Sequence, residues 1–371
     1  MKVSDIMRVM ESIAPARLAE PWDRIGLQVG NAEADAGTLL VGMTPTLPLL
    51  AEAVELNARM IICHHPLLFK PLTSLTDSSP AERITAGLVR HGIAFFAAHT
   101  NYDVAPGGVN DALAELIGLT QVQPLSYANS RLAKIVVFVP EEALEKVADA
   151  ICAAGAGHIG AYSHCTFRIP GTGTFLPLEG AQPYIGEKGK LEKVAEIRIE
   201  SIVPEELVPG VVEAIRKSHP YEEPAFDVYQ LANERREAGL GRWGIIAKPL
   251  PAAEFLAAVA RTLDLDCIHY VGDGGRTVSR IAVVGGAGGD YLKDAIARKC
   301  DVLITGDVRH HVHLEAADRG IILADAGHAQ TEWPGVIALH KRLAKLLPAV
   351  RMMLSTSEQG MIKGVRGMKN E

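Results

Sequence analysis

The sequence predicts an α/β protein in which two α/β lobes form one architecture, with a ferredoxin-like α+β domain inserted between them. In both outer parts of the chain, short apolar and β-branched runs alternate with helical patterns, which is typical of α/β sheets of the doubly wound type. An internal repeat with a different element order occupies the middle. The 371 residues exceed what one hydrophobic core usually serves, which favours two or three domains.

The first element is an amphipathic helix, because Ile6, Val9, Met10 and Ile13 recur at helical spacing. Six apolar runs are then predicted as strands, and each is followed by polar or glycine residues. These runs are Thr38–Met43, Met60–Cys63, Ile93–Ala98, Arg280–Val284, Asp301–Thr305 and Gly320–Ala324. Ligands of open α/β sheets bind beyond the carboxyl ends of the strands, so the polar residues at these ends are placed for function.

The middle of the chain contains two copies of one unit. Val139–Ile151 and Val203–Ile215 are identical at seven of thirteen positions. In each copy an apolar run precedes Pro-Glu-Glu, a good start for a helix, so each copy is a strand followed by a helix. With strands at Thr166–Leu176 and Phe226–Leu231, the order becomes β-α-β-β-α-β. The predicted domains are therefore 1–127 (N-terminal lobe), 128–238 (inserted domain) and 239–371 (C-terminal lobe).

Composition excludes several classes of protein. The sequence contains no apolar run of 18 residues that would span a membrane. A net charge of −7 without a block of Lys or Arg makes a nucleic-acid duplex an improbable partner. The five cysteines show no paired spacing, which favours reduced thiols and a cytoplasmic location.

Three strand ends carry the types of residue that bind metals. His64-His65 follows one strand, and Asp103 lies shortly after the next. His328 and Glu332 lie four residues apart on a helix that follows a third strand, so they share one face. Read singly, each element has a structural alternative: hydrogen-bonded histidines, an Asx turn, or a helix start. Three His and two carboxylates are too many for one tetrahedral zinc ion, but they suit two cations that share a carboxylate and a water.

Three further motifs have weaker interpretations. Gly285–Gly289 could cradle a phosphate, although Tyr291 stands where the dinucleotide-binding spacing requires glycine, so a plain turn is the alternative. His310, His311 and His313 could contact an anionic substrate, or they could form a polar surface loop. The cluster His219-Pro-Tyr-Glu-Glu223 could be functional or a structural junction.

The motifs WDRIGLQVGN (22–31), HHPLLFKPLTSL (64–75), AAHTNYDVAPGGVNDALAELIGL (97–119), TGDVRHH (305–311) and DAGHAQTE (325–332) resemble the Nif-three-like dinuclear metal-centre family, catalogued as GTP cyclohydrolase I type 2 homologs. The resemblance covers both lobes. The middle segments 169–200 and 219–231 resemble the signal-transducer/copper-tolerance-like domain that is inserted in the longer members.

The resemblance implies the same five ligands, His64, His65, Asp103, His328 and Glu332, and it also implies a toroidal homohexamer. It implies a small-molecule substrate, such as GTP, attacked at C8 of guanine with release of formate. Water activated by two divalent cations makes hydrolysis the expected reaction, and the residues suit phosphoester or amide hydrolysis equally well. His99 could orient that water or move its proton.

Zn, Mn, Fe and Co all suit His and carboxylate ligands, so the metal stays open. The alternative to a hydrolase is a metal-binding regulator or scaffold without catalysis.

Overall fold

The structure is a computed structural model that describes residues 1–127, 132–160, 162–233 and 238–357. The described helices, in chain order, are α1 (Val3–Ile13), α2 (Leu47–Glu55), α3 (Pro80–His91), α4 (Thr100–Val104), α5 (Val109–Ile117), α6 (Leu144–Ala153), α7 (Val208–Ser218), α8 (Ala252–Thr262), α9 (Leu292–Ala297), α10 (His310–Arg319) and α11 (His328–Leu346).

The described strands, in chain order, are β1 (Gly26–Val29), β2 (Thr38–Gly42), β3 (Ala58–Cys63), β4 (Ala94–Ala97), β5 (Thr120–Tyr127), β6 (Leu132–Pro140), β7 (Thr166–Phe175), β8 (Glu192–Pro204), β9 (Phe226–Gln230), β10 (Gly239–Pro251), β11 (His269–Val271), β12 (Thr277–Ala287), β13 (Val302–Gly306), β14 (Ile322–Asp325) and β15 (Met352–Leu354).

The predicted α/β class is confirmed, and all six predicted strand runs contain strands. The chain divides into two compact units: Met1–Ala128 with Arg236–Glu371, and Asn129–Arg235. The first unit contains two sheets, in the orders β1-β4-β3-β2-β15 and β11-β14-β13-β12-β10-β5. In each sheet the central strands are parallel, as the sequence predicts.

Antiparallel strands complete both sheets, and the alternating pattern did not predict them. β1 pairs with β4, β11 pairs with β14, and β10 pairs with both β12 and β5. The strand β1 is only four residues long and mostly half-buried, so it lacks the continuous apolar run that marks a buried parallel strand.

Helix α11 contacts both sheets of the first unit, through β2 and β15 on one side and β12 and β13 on the other. Its apolar face, with Val336, Leu339 and Leu343 all buried, belongs to the core cluster that also contains Ile6 and Met10 of α1. Ile13 of α1 is buried too, whereas Val9 is only partly buried. This packing fixes the first turn of α11 beside the ends of β3 and β4.

The second unit shows the predicted β-α-β-β-α-β order. Its four strands are antiparallel in the order β7-β8-β6-β9, which is the arrangement of a ferredoxin-like fold. Ile135, Val137 and Ile199 pack with Val147 of α6 and Val211 of α7 in one core. Both helices therefore cover the same face of this sheet.

The five cysteines, all within the described residues, are thiols rather than disulfides, and Cys63, Cys152 and Cys300 are buried. This agrees with the absence of paired spacing in the sequence. Within the part of the chain that the structure describes, no helix is both long and apolar enough to cross a membrane.

Candidate metal centre

The two histidines after β3 have their rings oriented by hydrogen bonds at Nδ1. Nδ1 of His64 donates to the carbonyl oxygen of Ala98 over 2.9 Å, and Nδ1 of His65 lies 2.9 Å from Oγ1 of Thr44. His64 is 1% exposed. Since one ring nitrogen is occupied in each case, the Nε2 atoms are left for the cluster. Such support of the outer nitrogen is usual for histidines that bind metals.

His99 caps the N-terminus of the short helix α4, which follows the strand β4, and Asp103 lies within this helix. Nδ1 of His99 donates to Oδ1 of Asp23 over 2.9 Å, and the side chain of Asp23 is completely buried. Asp103 is also buried, and its Oδ1 lies 3.6 Å from Nε2 of His64. The end of β4 thus adds one imidazole and one carboxylate beside the histidine pair.

The third element is the first turn of α11. Gly327, with φ of 79°, turns the chain from β14 into this helix. Nδ1 of His328 donates to Oδ2 of Asp307 over 2.8 Å, which directs Nε2 to Oε1 of Glu332, 3.1 Å away. His328 and Glu332 therefore present one nitrogen and one carboxylate on the same face, as the spacing of four residues predicts.

Glu332 lies at the centre of the cluster. Its carboxylate oxygens are 3.5 Å from Nε2 of His64, 3.0 Å from Nε2 of His65 and 3.1 Å from Nε2 of His328. Among the described residues, two groups have ligand atoms that all lie within 4.8 Å of one another: His64, His65 and His99, and His65, His328 and Glu332. The structure thus brings the five predicted ligands and His99 together.

Three buried atoms of this cluster lack a hydrogen bond. They are Nε2 of His64, Oδ1 of Asp103 and Oε2 of Glu332. Oε2 of Glu332 lies 3.0 Å from Nε2 of His65 and has no hydrogen bond. Two lone pairs directed at a common cation would approach each other in this way. Buried polar atoms are rarely left without a partner, because their desolvation is costly. The side chains therefore fit divalent cations, which would satisfy all three atoms.

The charges within the cluster strongly shift its protonation. Burial acts to lower the pKa of His64, but the carboxylates of Asp103 and Glu332 raise it to about 9. The hydrogen bond with Glu332 raises the pKa of His328 to about 9 as well. Burial acts to raise the pKa of Glu332, but the surrounding imidazoles hold it well below its usual range. Without metal, protons on His64 and His328 balance part of the negative charge at neutral pH.

The behaviour of His65 and Asp103 follows mainly from burial. Burial lowers the pKa of His65, so this imidazole is available as a neutral ligand. Burial raises the pKa of Asp103 to about 6, against the attraction of His64. Asp103 is therefore the carboxylate of the cluster that takes up a proton first as the pH falls.

Metal affinity should rise with pH up to about pH 9. Cations must displace the protons of His64 and His328, whose pKa values near 9 lie above neutral pH. As the pH falls below 9, metal affinity should therefore decrease by about a factor of ten per pH unit for each displaced proton. Below pH 6, Asp103 also becomes protonated and both ions should leave. Titration with Co²⁺ against a competing chelator at pH 6, 7, 8 and 9, followed by visible absorption, measures this dependence. An affinity that does not change between pH 7 and 9 would refute it.

Local sequence patterns do not predict Asp23, Asp307 and Thr44, whose side chains bind Nδ1 of His99, His328 and His65. Asp23 receives hydrogen bonds from His99 and from both the amide and the hydroxyl of Thr100. Burial acts to raise the pKa of Asp23, but these hydrogen bonds hold it far below its usual range. Asp23 and Asp307 stand in the motifs 22–31 and 305–311, and only that membership could have drawn attention to them.

The glycines 285–289 have a packing role at this site. A Cβ atom at Gly286 would lie 2.3 Å from Oε1 of Glu332, and φ there is +66°. Gly288 donates its amide to Oγ1 of Thr305, which is buried. The turn therefore allows the backbone to approach Glu332 closely, which agrees with the plain turn rather than the phosphate cradle.

The remaining histidines lie apart from the cluster. His310, His311 and His313 form the first turn of α10 rather than a loop, and they belong to neither of the two ligand groups among the described residues. His219 is buried and bonds to backbone atoms of Phe138 and Tyr221. This supports the structural interpretation of the segment 219–223.

Together, the fold and the cluster define an α/β protein with a His and carboxylate site that can hold divalent metal. The chain matches the family described as Duf34/NIF3 (NGG1p interacting factor 3) over residues 1–360, and it belongs to that family. A protein of Halalkalibacterium halodurans named GTP cyclohydrolase 1 type 2 homolog is 40% identical over 332 residues, 88% of this chain and 89% of the relative. The Bacillus subtilis protein of the same name is 40% identical over 324 residues, 87% of each chain.

Solved structures show the same fold over the whole chain. A Bacillus cereus protein related to NIF3 has 38% sequence identity and a TM-score of 0.80, with 98% of this chain and 99% of that chain covered. A Staphylococcus aureus protein has 27% identity and a TM-score of 0.80 with the same coverage. The family resemblance drawn from the motifs is therefore confirmed.

Proposed function

We propose that this protein is a dinuclear, divalent-metal-dependent hydrolase of the GTP cyclohydrolase 1 type 2 kind. The observation that carries the proposal is that imidazole nitrogens and two carboxylates converge in one cluster, in which three buried atoms of these side chains have no hydrogen bond. A purely structural cluster would pair these atoms with one another or with the backbone. The names of the curated relatives add the reaction class.

The distances support a division of ligands between two ions. Glu332 is the only carboxylate of the described cluster within 3.5 Å of three imidazoles, so we assign it to both ions. Asp103, beside Nε2 of His64, would serve one ion together with His64. His65 and His328 would serve the other. Five side chains leave coordination positions open for water or substrate, as in catalytic rather than structural sites.

When bound, the two cations would supply Lewis acidity that polarises the substrate and lowers the pKa of a water molecule to near neutrality. A side chain of the protein would accept the proton that this water releases. Because Nδ1 of His99 is held by the buried Asp23, its Nε2 is the atom that can accept a proton. The negative charge of Asp23 would stabilise the imidazolium that results, as an orienting carboxylate does for a catalytic histidine. His99 is thus our candidate for the general base.

Two exposed aromatic side chains beside His99 support a planar substrate. Trp22 is 54% exposed and Phe69 is 47% exposed. Their ring centroids are 6.0 Å apart, and Trp22 lies 6.3 Å from the ring of His99. Aromatic surface of this kind is suited to stacking with a flat heterocycle. A purine nucleotide such as GTP fits this wall better than an aliphatic phosphoester or amide does.

A substrate panel tests the proposal. Protein reconstituted separately with Zn, Mn, Fe or Co is incubated with GTP, other purine nucleotides, aliphatic phosphoesters and amides, and the products are separated by chromatography, with formate measured as well. We expect metal-dependent hydrolysis of a purine nucleotide that is absent from the Glu332→Gln variant. Binding of two ions without turnover on any substrate would instead favour a metal-binding regulator or scaffold.

A further inference from the structure

A pocket lies in the Asn129–Arg235 unit, which contains none of the proposed metal ligands. Its volume is about 570 Å³, which is in the range of pockets for small ligands. Side chains alternate between the two faces of a strand. Ile135, Val137 and Ile199 face the helices α6 and α7, so Phe138 and Arg198, which pair across β6 and β8 and line the pocket, lie on the face without helices.

Aromatic rings form one wall of this pocket. The ring of Tyr221 lies between those of Phe175 and Tyr184, with centroids 6.1 Å from each. The hydroxyl of Tyr184 donates to Oε1 of Glu142 over 3.1 Å, which fixes that ring. All three rings line the pocket. Their faces carry partial negative charge and attract cations.

The buried His219 holds Tyr221 in place. Nδ1 of His219 accepts a hydrogen bond from the amide of Tyr221 over 3.0 Å, so its Nε2 carries the proton and donates to the carbonyl oxygen of Phe138 over 2.9 Å. The rings of His219 and Tyr221 are 4.9 Å apart at their centroids. The conspicuous sequence 219–223 thus serves to fix the aromatic wall.

A carboxylate lies against this wall. Glu196 on β8 lines the pocket, and its carboxylate occupies the space over Gly173, where a Cβ atom would come within 2.1 Å of Oε2. Burial, and next the nearby Glu196, raise the pKa of the Tyr221 phenol. The aromatic wall and the carboxylate therefore face the same volume.

The charge of the lining is negative. Glu196, Glu222 and Glu223 are opposed by Arg198 alone. Nε of Arg198 is already paired with Glu200 over 2.8 Å, and its guanidinium lies 5.7 Å from the centre of the Phe138 ring. Within the described residues, no Lys or Arg forms an ion pair with the three lining glutamates. An anionic ligand would meet repulsion here, whereas a cation would find both carboxylate and aromatic partners.

We propose that this pocket binds a small organic cation, an ammonium head group with an apolar body, and that the inserted unit is a ligand-binding module. Glu196 supplies the opposite charge, and Phe175, Tyr184 and Tyr221 supply the aromatic faces. The site shares no residue with the metal ligands and does not depend on the reaction proposed above.

Titration calorimetry on the full chain tests this proposal with choline and its uncharged analogue 3,3-dimethylbutan-1-ol. Choline should bind at least about ten times more tightly than the alcohol, because only the cation gains from the rings and the carboxylate. Glu196→Gln should weaken choline binding about tenfold. Tyr184→Ala, at a side chain that is 56% exposed and so tolerant of change, should weaken it about three- to tenfold.

Glu213→Gln is the matched control, since Glu213 is an exposed glutamate of the same unit that pairs with Lys217 on α7. This variant should bind choline like the parent protein, and circular dichroism should show that all variants are folded. Equal affinities for choline and the alcohol, or choline binding unaffected by both Glu196→Gln and Tyr184→Ala, would overturn the proposal. Preferential binding of an anion such as inorganic phosphate, which is repelled by the lining glutamates, would overturn it as well.

Discussion

Glu332→Gln should abolish binding of the second metal ion and lower the affinity for the first by more than about 100-fold. The loss should exceed the 10–100-fold effect that is typical of outer-shell partners, because the substitution removes a negative charge from among three imidazoles within 3.5 Å. Shape is nearly preserved, so the fold should persist. Any hydrolytic activity should disappear with the metal. Equilibrium titration with Mn²⁺ or Co²⁺ measures the affinities and the number of sites.

Glu115→Gln provides the control for this experiment, since Glu115 is an exposed glutamate of the same unit on α5. It should bind both ions like the parent protein. If the Glu332→Gln protein retained two ions with affinities within tenfold of the parent's, Glu332 would not bridge the ions and the assignment of ligands would be wrong.

His99→Ala should lower turnover by about 10² to 10⁴, the usual contribution of a general base, while both ions stay bound. His99 is tied to the buried Asp23 through Nδ1, which is the arrangement of a proton acceptor with an orienting carboxylate. Metal affinity should fall by no more than about 10–100-fold. Steady-state kinetics and metal titration on the same preparation separate the two effects.

The geometry makes this experiment decisive, because His99 has a ligand atom within 4.8 Å of those of His64 and His65. A variant that keeps one ion or none would show that His99 is itself a ligand. Asp23→Asn provides a second comparison, since it removes the charge behind the imidazole, and its single acceptor oxygen cannot serve both His99 and Thr100 as the carboxylate does. It should retain both ions, and turnover should fall because the charge that would stabilise the His99 imidazolium is absent.

The sequence predicts well those features that depend on neighbouring residues. The strands β2, β3, β4, β12, β13 and β14 coincide with apolar runs, and the ligands at their ends are separated from the strand by only a few residues. The repeat in the middle of the chain predicts the order of elements in the second unit for the same reason. Glu332 is predicted by its spacing from His328 on one helix.

Features that depend on distant parts of the chain escape such reasoning. Asp23 precedes its partner His99 by 76 residues, and Asp307 precedes His328 by 21. No local pattern connects these pairs. The antiparallel strands β1, β5, β10 and β11 likewise complete the sheets through pairing that periodicity does not specify. The aromatic wall combines Phe175 at the end of β7 with Tyr184 and Tyr221 from later segments of the chain.

The number of metal ions per chain tests the central claim most directly. The protein is stripped with chelator at acidic pH, reconstituted with Mn²⁺, Co²⁺ or Zn²⁺ at pH 8, freed of loosely bound metal by gel filtration, and measured by elemental analysis against protein concentration. Two ions per chain are expected, because in the proposed assignment Glu332 with Asp103 and His64 would serve one ion, and Glu332 with His65 and His328 would serve the other. At most one tightly held ion per chain with every metal would contradict the dinuclear site.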